Sequence, residues 1–323
     1  MLTPAFYADY PVLPTPWCTQ LVRVVYAANT ALARTRFNVV GLERLPAGPV
    51  LFATNSTQKN DFMAFRWVMQ KAGLPCVTVT KAKNYHDPVM RFLLRRLGVV
   101  PLASKGYFLL LDFTQTLGRR PDEGEYRALR EHLDRDVSLP PGEPFVTLCG
   151  RRRTLLEHVF EPSRESYRAF VQRLYARSLA ETLRLTGEAV AGGYHVQMYP
   201  EGTVAPRLGR GRPGAVQLAW ALGLPIVPAG MSGCPDAFAG DSPLLRLRGG
   251  DVTVRFGAPI TLPTDFLAPD FIPFDPAHEQ RHRETLNAFS AAQLMPAIDA
   301  LLDPPFRRVE NETFVGKGTR AFL

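Results

Sequence analysis

Two apolar runs in this 323-residue chain each open into a polar loop, and those loops hold the side chains best suited to chemistry. Residues 50–54 lead into Asn55-Ser56-Thr57-Gln58-Lys59-Asn60-Asp61, and residues 194–199 lead into Pro200-Glu201-Gly202-Thr203. Asp61 and Glu201 are carboxylates, able to accept or orient a proton. Ser56 is a weaker candidate. A hydroxyl has no useful basicity at pH 7, and a serine nucleophile needs an adjacent base, usually on a strained Gly-x-Ser-x-Gly turn. The run Ala53-Thr54-Asn55-Ser56-Thr57 supplies neither.

These loops need a frame to bring them together. Short apolar runs suited to strands occur at 50–54, 77–80, 99–102, 195–199, 226–229 and 252–256. Helical patterns lie between them at 62–71, 88–97, 166–185 and 215–222. The alternation predicts an α/β fold with a largely parallel central sheet flanked by helices. Sites in such sheets form beyond the carboxyl ends of the strands, so both polar loops should share one edge. Before the sheet, residues 1–36 comprise an irregular Pro-rich segment and a helix over 17–34. Trp17, Leu21, Val24, Val25 and Ala28 fall on one face of that helix. That face packs on the core, or it meets a lipid surface with Trp17 and Tyr26 at headgroup level. The main α/β domain is expected over 37–302, with an inserted segment at about 105–163 and a tail at 303–323. The insertion contains Phe108-Leu109-Leu110-Leu111 and the run Arg151-Arg152-Arg153. It reads as a lid or cover over the site, or as a subdomain with no part in the chemistry.

Composition narrows the class. The net charge of +8 suits an anionic partner such as a phospholipid surface, coenzyme A or an acyl carrier protein. Nucleic acid is not expected, because the chain lacks a zinc spacing, an aromatic RNA-binding motif and a dense basic helix. Cys18, Cys76, Cys149 and Cys234 match no metal or redox spacing, so free thiols in a reducing compartment are expected, with no metal site. No run reaches the roughly 18–20 apolar residues of a membrane span. A cytoplasmic protein, peripheral on the inner face of a membrane, fits these features. The sequons at Asn55 and Asn311 are read as coincidental.

The two loops resemble the signature of the glycerolipid acyltransferase family, which includes the lysophosphatidate and glycerol-3-phosphate acyltransferases. The family's Asn-His-x4-Asp motif maps onto residues 55–61, with Ser56 in the histidine slot. Its Pro-Glu-Gly-Thr-Arg-Ser motif maps onto 200–205, with Val204 and Ala205 in the last two places. Its Gly-x5-Arg motif maps onto 98–104, where Ser104 replaces arginine and Lys105 is adjacent. Gly223-Leu224-Pro225-Ile226-Val227-Pro228-Ala229 fits its fourth motif, and residues 251–260 resemble a later strand and turn. The likeness covers roughly 37–105 and 185–265.

The resemblance implies transfer of a fatty acyl group from a thioester to the hydroxyl of a lipid or polyol. The co-substrate would be acyl-CoA or acyl carrier protein, with no bound cofactor. It implies that Asp61 orients a base and that Glu201, Gly202 and Thr203 hold the acceptor. Lys59, Lys105 and the loop arginines Arg207, Arg210 and Arg212, with Arg207 foremost, are the candidates to supply charge. Since Ser56 cannot be the base, His86 in Asn84-Tyr85-His86-Asp87 is the substitute considered, beside a water near Asp61. His195 lies within a strand pattern, and His132, His158, His278 and His282 fall where there is no motif. The alternative is a catalytically silent relative that binds acyl chains, acyl carriers or membrane.

Overall fold

The computed structural model describes residues 2–239 and 247–309. The sequon at Asn311 and most of the expected tail lie outside them. Seven strands form one sheet in the order β1 (Thr35–Val40), β9 (Gly250–Phe256), β8 (Ile226–Ser232), β2 (Leu51–Thr54), β7 (His195–Met198), β3 (Cys76–Lys81), β4 (Val99–Leu102). All neighbours are parallel except β8 and β9. The fold is therefore α/β with a mostly parallel sheet. β2, β7 and β8 are buried along their whole length, as expected for central strands covered on both faces.

Strand β1 was not expected. Its residues alternate poorly and most are exposed, so no buried run marks it. It nonetheless pairs with β9 from Thr35↔Gly250 to Val40↔Arg255, and Arg36 makes a bidentate ion pair with Asp251 across that edge.

Helix α1 is Pro4–Ala8, and α2 spans Pro16–Ala33. The expected packing face of α2 is the one left outside. Trp17, Leu21, Val24 and Val25 are exposed, while Cys18 and Tyr26 on the opposite side are buried. Tyr26 packs on Trp67, with ring centroids 5.2 Å apart, so it cannot lie at headgroup level. Periodicity located the helix but not the side that meets protein. Among the described residues, no helix is long and apolar enough to cross a membrane.

Helices α3 (Asp61–Lys71) and α4 (Pro88–Arg96) follow β2 and β3. Between β4 and β7 lie α5 (Lys105–Leu117), α6 (Glu123–Arg135), α7 (Phe145–Gly150), a hairpin of β5 (Arg153–Leu155) and β6 (His158–Phe160), and α8 (Tyr167–Ala191). The run 108–111 is buried inside α5. Arg153 is not a solvated surface charge: it makes a bidentate pair with buried Asp112 at 2.5 and 2.8 Å and stacks on Phe160. Helix α9 (Gly214–Leu222) leads into β8.

Candidate active site

The parallel register decides where the polar loops emerge. Leu51 lies opposite Val196, so β2 and β7 end together, and residues 55–61 and 200–203 leave the same edge. The loops are then joined directly. Glu201 Oε2 accepts the Ser56 main-chain N–H at 3.0 Å, and Ala205 N–H donates to the Ser56 carbonyl at 2.9 Å. Glu201 Oε1 accepts Gly209 N–H at 2.7 Å. Gly202 turns this loop at φ +59°, in the region that favours glycine.

Asp61 begins α3 and folds back onto its own loop. Its Oδ2 accepts Thr57 N–H at 2.5 Å, Gln58 N–H at 3.0 Å and the Thr57 hydroxyl at 3.2 Å. Its Oδ1 is buried with no hydrogen-bond partner among the described residues. Both carboxyl groups are sealed: Asp61 is 0% exposed and Glu201 3%. Burial drives both pKa values up, Asp61 to about 6 and Glu201 to about 7, although main-chain donors pull each down. The Asp61 charge raises Glu201 further. Two carboxylates perturbed in this way, at the C-terminal edge of a parallel sheet, mark a functional-site candidate.

Other groups complete the surroundings. Asn55 clamps β8 through both atoms of its amide, accepting from Met231 N–H at 2.8 Å and donating to its carbonyl at 3.0 Å. Gln197 links three elements, accepting from Thr78 and donating to Thr54 and Tyr199. The buried Cys234 thiol stands beside Asp61, and both burial and that carboxylate push its pKa well up. The pattern reading missed Asn55, Tyr199 and Cys234. Only the position of Asn55 directly after a strand hinted at its clamp.

Positive charge gathers at the same edge. Thr78 lies opposite Gln197, so Lys81, at the end of β3, leaves the sheet beside the Pro200 loop. Its pKa falls to about 8 through burial, with Lys83 and Arg212 adding repulsion. Arg212 N–H donates to the Pro200 carbonyl at 2.8 Å, and its side chain lies over Gly202. Of the expected cations, Lys105 is instead paired with Asp134 at 3.2 Å. Lys59 and Arg207 are exposed, and Ser56 and Thr203 sit in the two joined loops.

His86 follows β3, as the sequence suggested, but its ring packs against Tyr107 at 5.6 Å. Burial lowers its pKa, and Arg91 adds to this. His195 stands at the start of β7, on the opposite edge, where its Nδ1 accepts Val50 N–H. Among the described residues, no imidazole hydrogen-bonds to Asp61 or Glu201.

No protein-family model and no curated protein matches the chain. Among solved structures, the chain is similar to the 1-acyl-sn-glycerophosphate (LPA) acyltransferase PlsC from Thermotoga maritima, at 14% identity and a TM-score of 0.42, over 85% of this chain and 80% of that one.

Proposed function

We propose that this chain transfers an acyl group from a thioester donor to a hydroxyl acceptor at the sheet edge where residues 55–61 and 200–205 meet, with Glu201 as the proton acceptor. The observation that carries this reading is the coupling of Asp61 and Glu201, two sealed carboxylates delivered from distant segments to one edge of the sheet. A base works best with a pKa near the operating pH, and burial brings Glu201 to about 7. In this scheme the acceptor hydroxyl gives its proton to Glu201 as its oxygen bonds to the thioester carbonyl carbon. The carbon–sulfur bond then breaks, and the thiolate leaves and takes up a proton. Lys81 and Arg212 favour the negative charge that develops on the carbonyl oxygen. Lipid or polyol acceptors and acyl-CoA or acyl carrier protein donors follow from the motif resemblance.

One observation favours a second reading, an inactive acyl-binding relative. Both Glu201 oxygens and Asp61 Oδ2 already accept main-chain N–H groups, as staples of the two loops would. Thiol release from long-chain acyl-CoA with mixed lysolipid and polyol acceptors separates the two. Turnover that disappears in Glu201→Ala and Asp61→Ala supports the transferase. An inert parent that gains turnover in Ser56→His supports the silent relative.

A further inference from the structure

Helix α2 turns most of its apolar side chains toward solvent. Trp17, Leu21, Val24, Val25, Ala28 and Leu32 recur at helical spacing along one stripe, and all six are exposed, Val24 by 65% and Leu32 by 86%. The rest of the protein grips the helix from the other side, through Cys18 and Tyr26. The stripe runs about four turns. Apolar surface of this extent is costly in water, and a contiguous patch of it marks an interaction surface. Helix α4 is tied to the start of α2 by a hydrogen bond from Thr15 N–H to the Arg96 carbonyl at 2.7 Å. It carries two more exposed apolar side chains, Val89 and Phe92.

The charges identify what covers the stripe. Residues 10–42 contain no aspartate or glutamate, and neither does α4. Arg23 and Arg34 stand about three turns apart on one flank of the stripe. Both are exposed, and neither pairs with a carboxylate among the described residues. Lys71 of α3 is also exposed and borders the same groove between α2 and α3 as Arg23. Arg36 does not add to this charge, since Asp251 neutralises it. An apolar stripe with a cationic flank and no acids matches the boundary between headgroups and acyl chains of an anionic bilayer. A tryptophan at one end of the stripe suits the same boundary. A second copy of the chain fits less well, because pairing two such faces brings cations against cations. With 18 residues and Arg23 among them, α2 is suited to lie in the plane of a bilayer, not to cross it.

We propose that α2 docks this chain in the plane of an anionic phospholipid bilayer. The stripe from Trp17 to Leu32 enters the boundary region, and Arg23, Arg34 and Lys71 meet the lipid phosphates. This surface does not depend on the acyl-transfer reading, since none of these side chains belongs to the loops that hold Asp61 and Glu201.

The test is co-sedimentation of the full chain with vesicles of phosphatidylcholine alone or mixed equally with phosphatidylglycerol, alongside sedimentation velocity without lipid. The parent is expected to partition onto the mixed vesicles at least about tenfold better than onto the neutral ones, and to lose that advantage in high salt. Arg23→Gln combined with Arg34→Asn, which keeps a residue suited to the left-handed cap at 34, should weaken binding to the mixed vesicles by about tenfold. Leu21→Gln combined with Val24→Gln should weaken it by a similar factor. Binding should also shift tryptophan emission to the blue, and Trp17→Phe should abolish that shift, because Trp67 is already buried. The proposal is overturned if the parent ignores both vesicles or binds them equally, or if the paired substitutions leave binding unchanged. A parent dimer that Leu21→Gln with Val24→Gln converts to monomer would assign the face to a second copy and overturn it too. Leu32→Gln, at the most exposed position of the stripe, decides the matter should a paired variant fail to fold: unchanged binding by it rejects the stripe, and several-fold weaker binding supports it.

Discussion

Replacing Glu201 by glutamine changes one atom, turns one hydrogen bond into a repulsive contact and removes one buried charge. The wild-type carboxylate accepts Ser56 N–H at 3.0 Å and Gly209 N–H at 2.7 Å. Glutamine can accept only one of these, and its amide N–H then opposes the other donor, at a cost of about 1–3 kcal/mol. Against this, glutamine carries no buried charge. Glu201 ionises near 4.5 when unfolded and near 7 when folded. Between those values the folded state holds a proton that the unfolded state has lost, so stability falls as pH rises and levels off above about 7. From pH 5 to pH 8 that fall is roughly 2–3 kcal/mol. It should be absent in Glu201→Gln. The variant is therefore expected to be less stable than wild type at pH 5 and close to it at pH 8. Urea titrations of both proteins at the two pH values measure this, since groups that do not interact with Glu201 cancel in the difference and the remainder reports Glu201 together with Asp61, which is coupled to it. Parallel pH dependences in the two proteins would refute the claim that a sealed, coupled carboxyl sits at this position.

Three further outcomes follow from the same geometry. Asn55→Ala removes both hydrogen bonds to Met231 and leaves two buried main-chain groups unpaired, so a loss of about 2–4 kcal/mol is expected in denaturant melts. Asp112→Ala strands the Arg153 guanidinium, whose side chain is only 11% exposed, and should cost about 3–5 kcal/mol by the same measurement. His86→Ala should leave thiol release within about twofold of the parent, because its ring packs on Tyr107 and not on either carboxylate. A rate lower by about 10²-fold would make His86 the base instead.

The strands that frame the site were legible because central parallel strands are short apolar runs with turn residues at their ends. β1 was not, since an exposed edge strand buries too little to leave such a run. The apolar stripe of α2 was plain, but its direction was not. A moment reports that two faces differ, and it was Cys18 and Tyr26 that turned out to be buried, Tyr26 against Phe37 of β1 and Trp67 of α3. Proximity of Asp61, Ser56 and Glu201 could be argued only through the rule that parallel strands deliver their loops to one edge. What the side chains of these loops bind was beyond a pattern reading, since the contacts of Glu201 with Ser56 and of Asn55 with Met231 join positions far apart in the chain. Arg153 shows the converse: a three-arginine run looks like a solvated face until the buried Asp112 of α5 is placed against it.

The proposed role of Glu201 as proton acceptor is tested most directly by the pH profile of thiol release from acyl-CoA. A base with a pKa near 7 predicts kcat/KM rising about tenfold per pH unit in acid and levelling off above about 7, with Glu201→Gln slower by about 10²–10⁴-fold at the plateau. A flat profile between about pH 5.5 and 8.5, or a Glu201→Gln rate within about twofold of the parent, would contradict it.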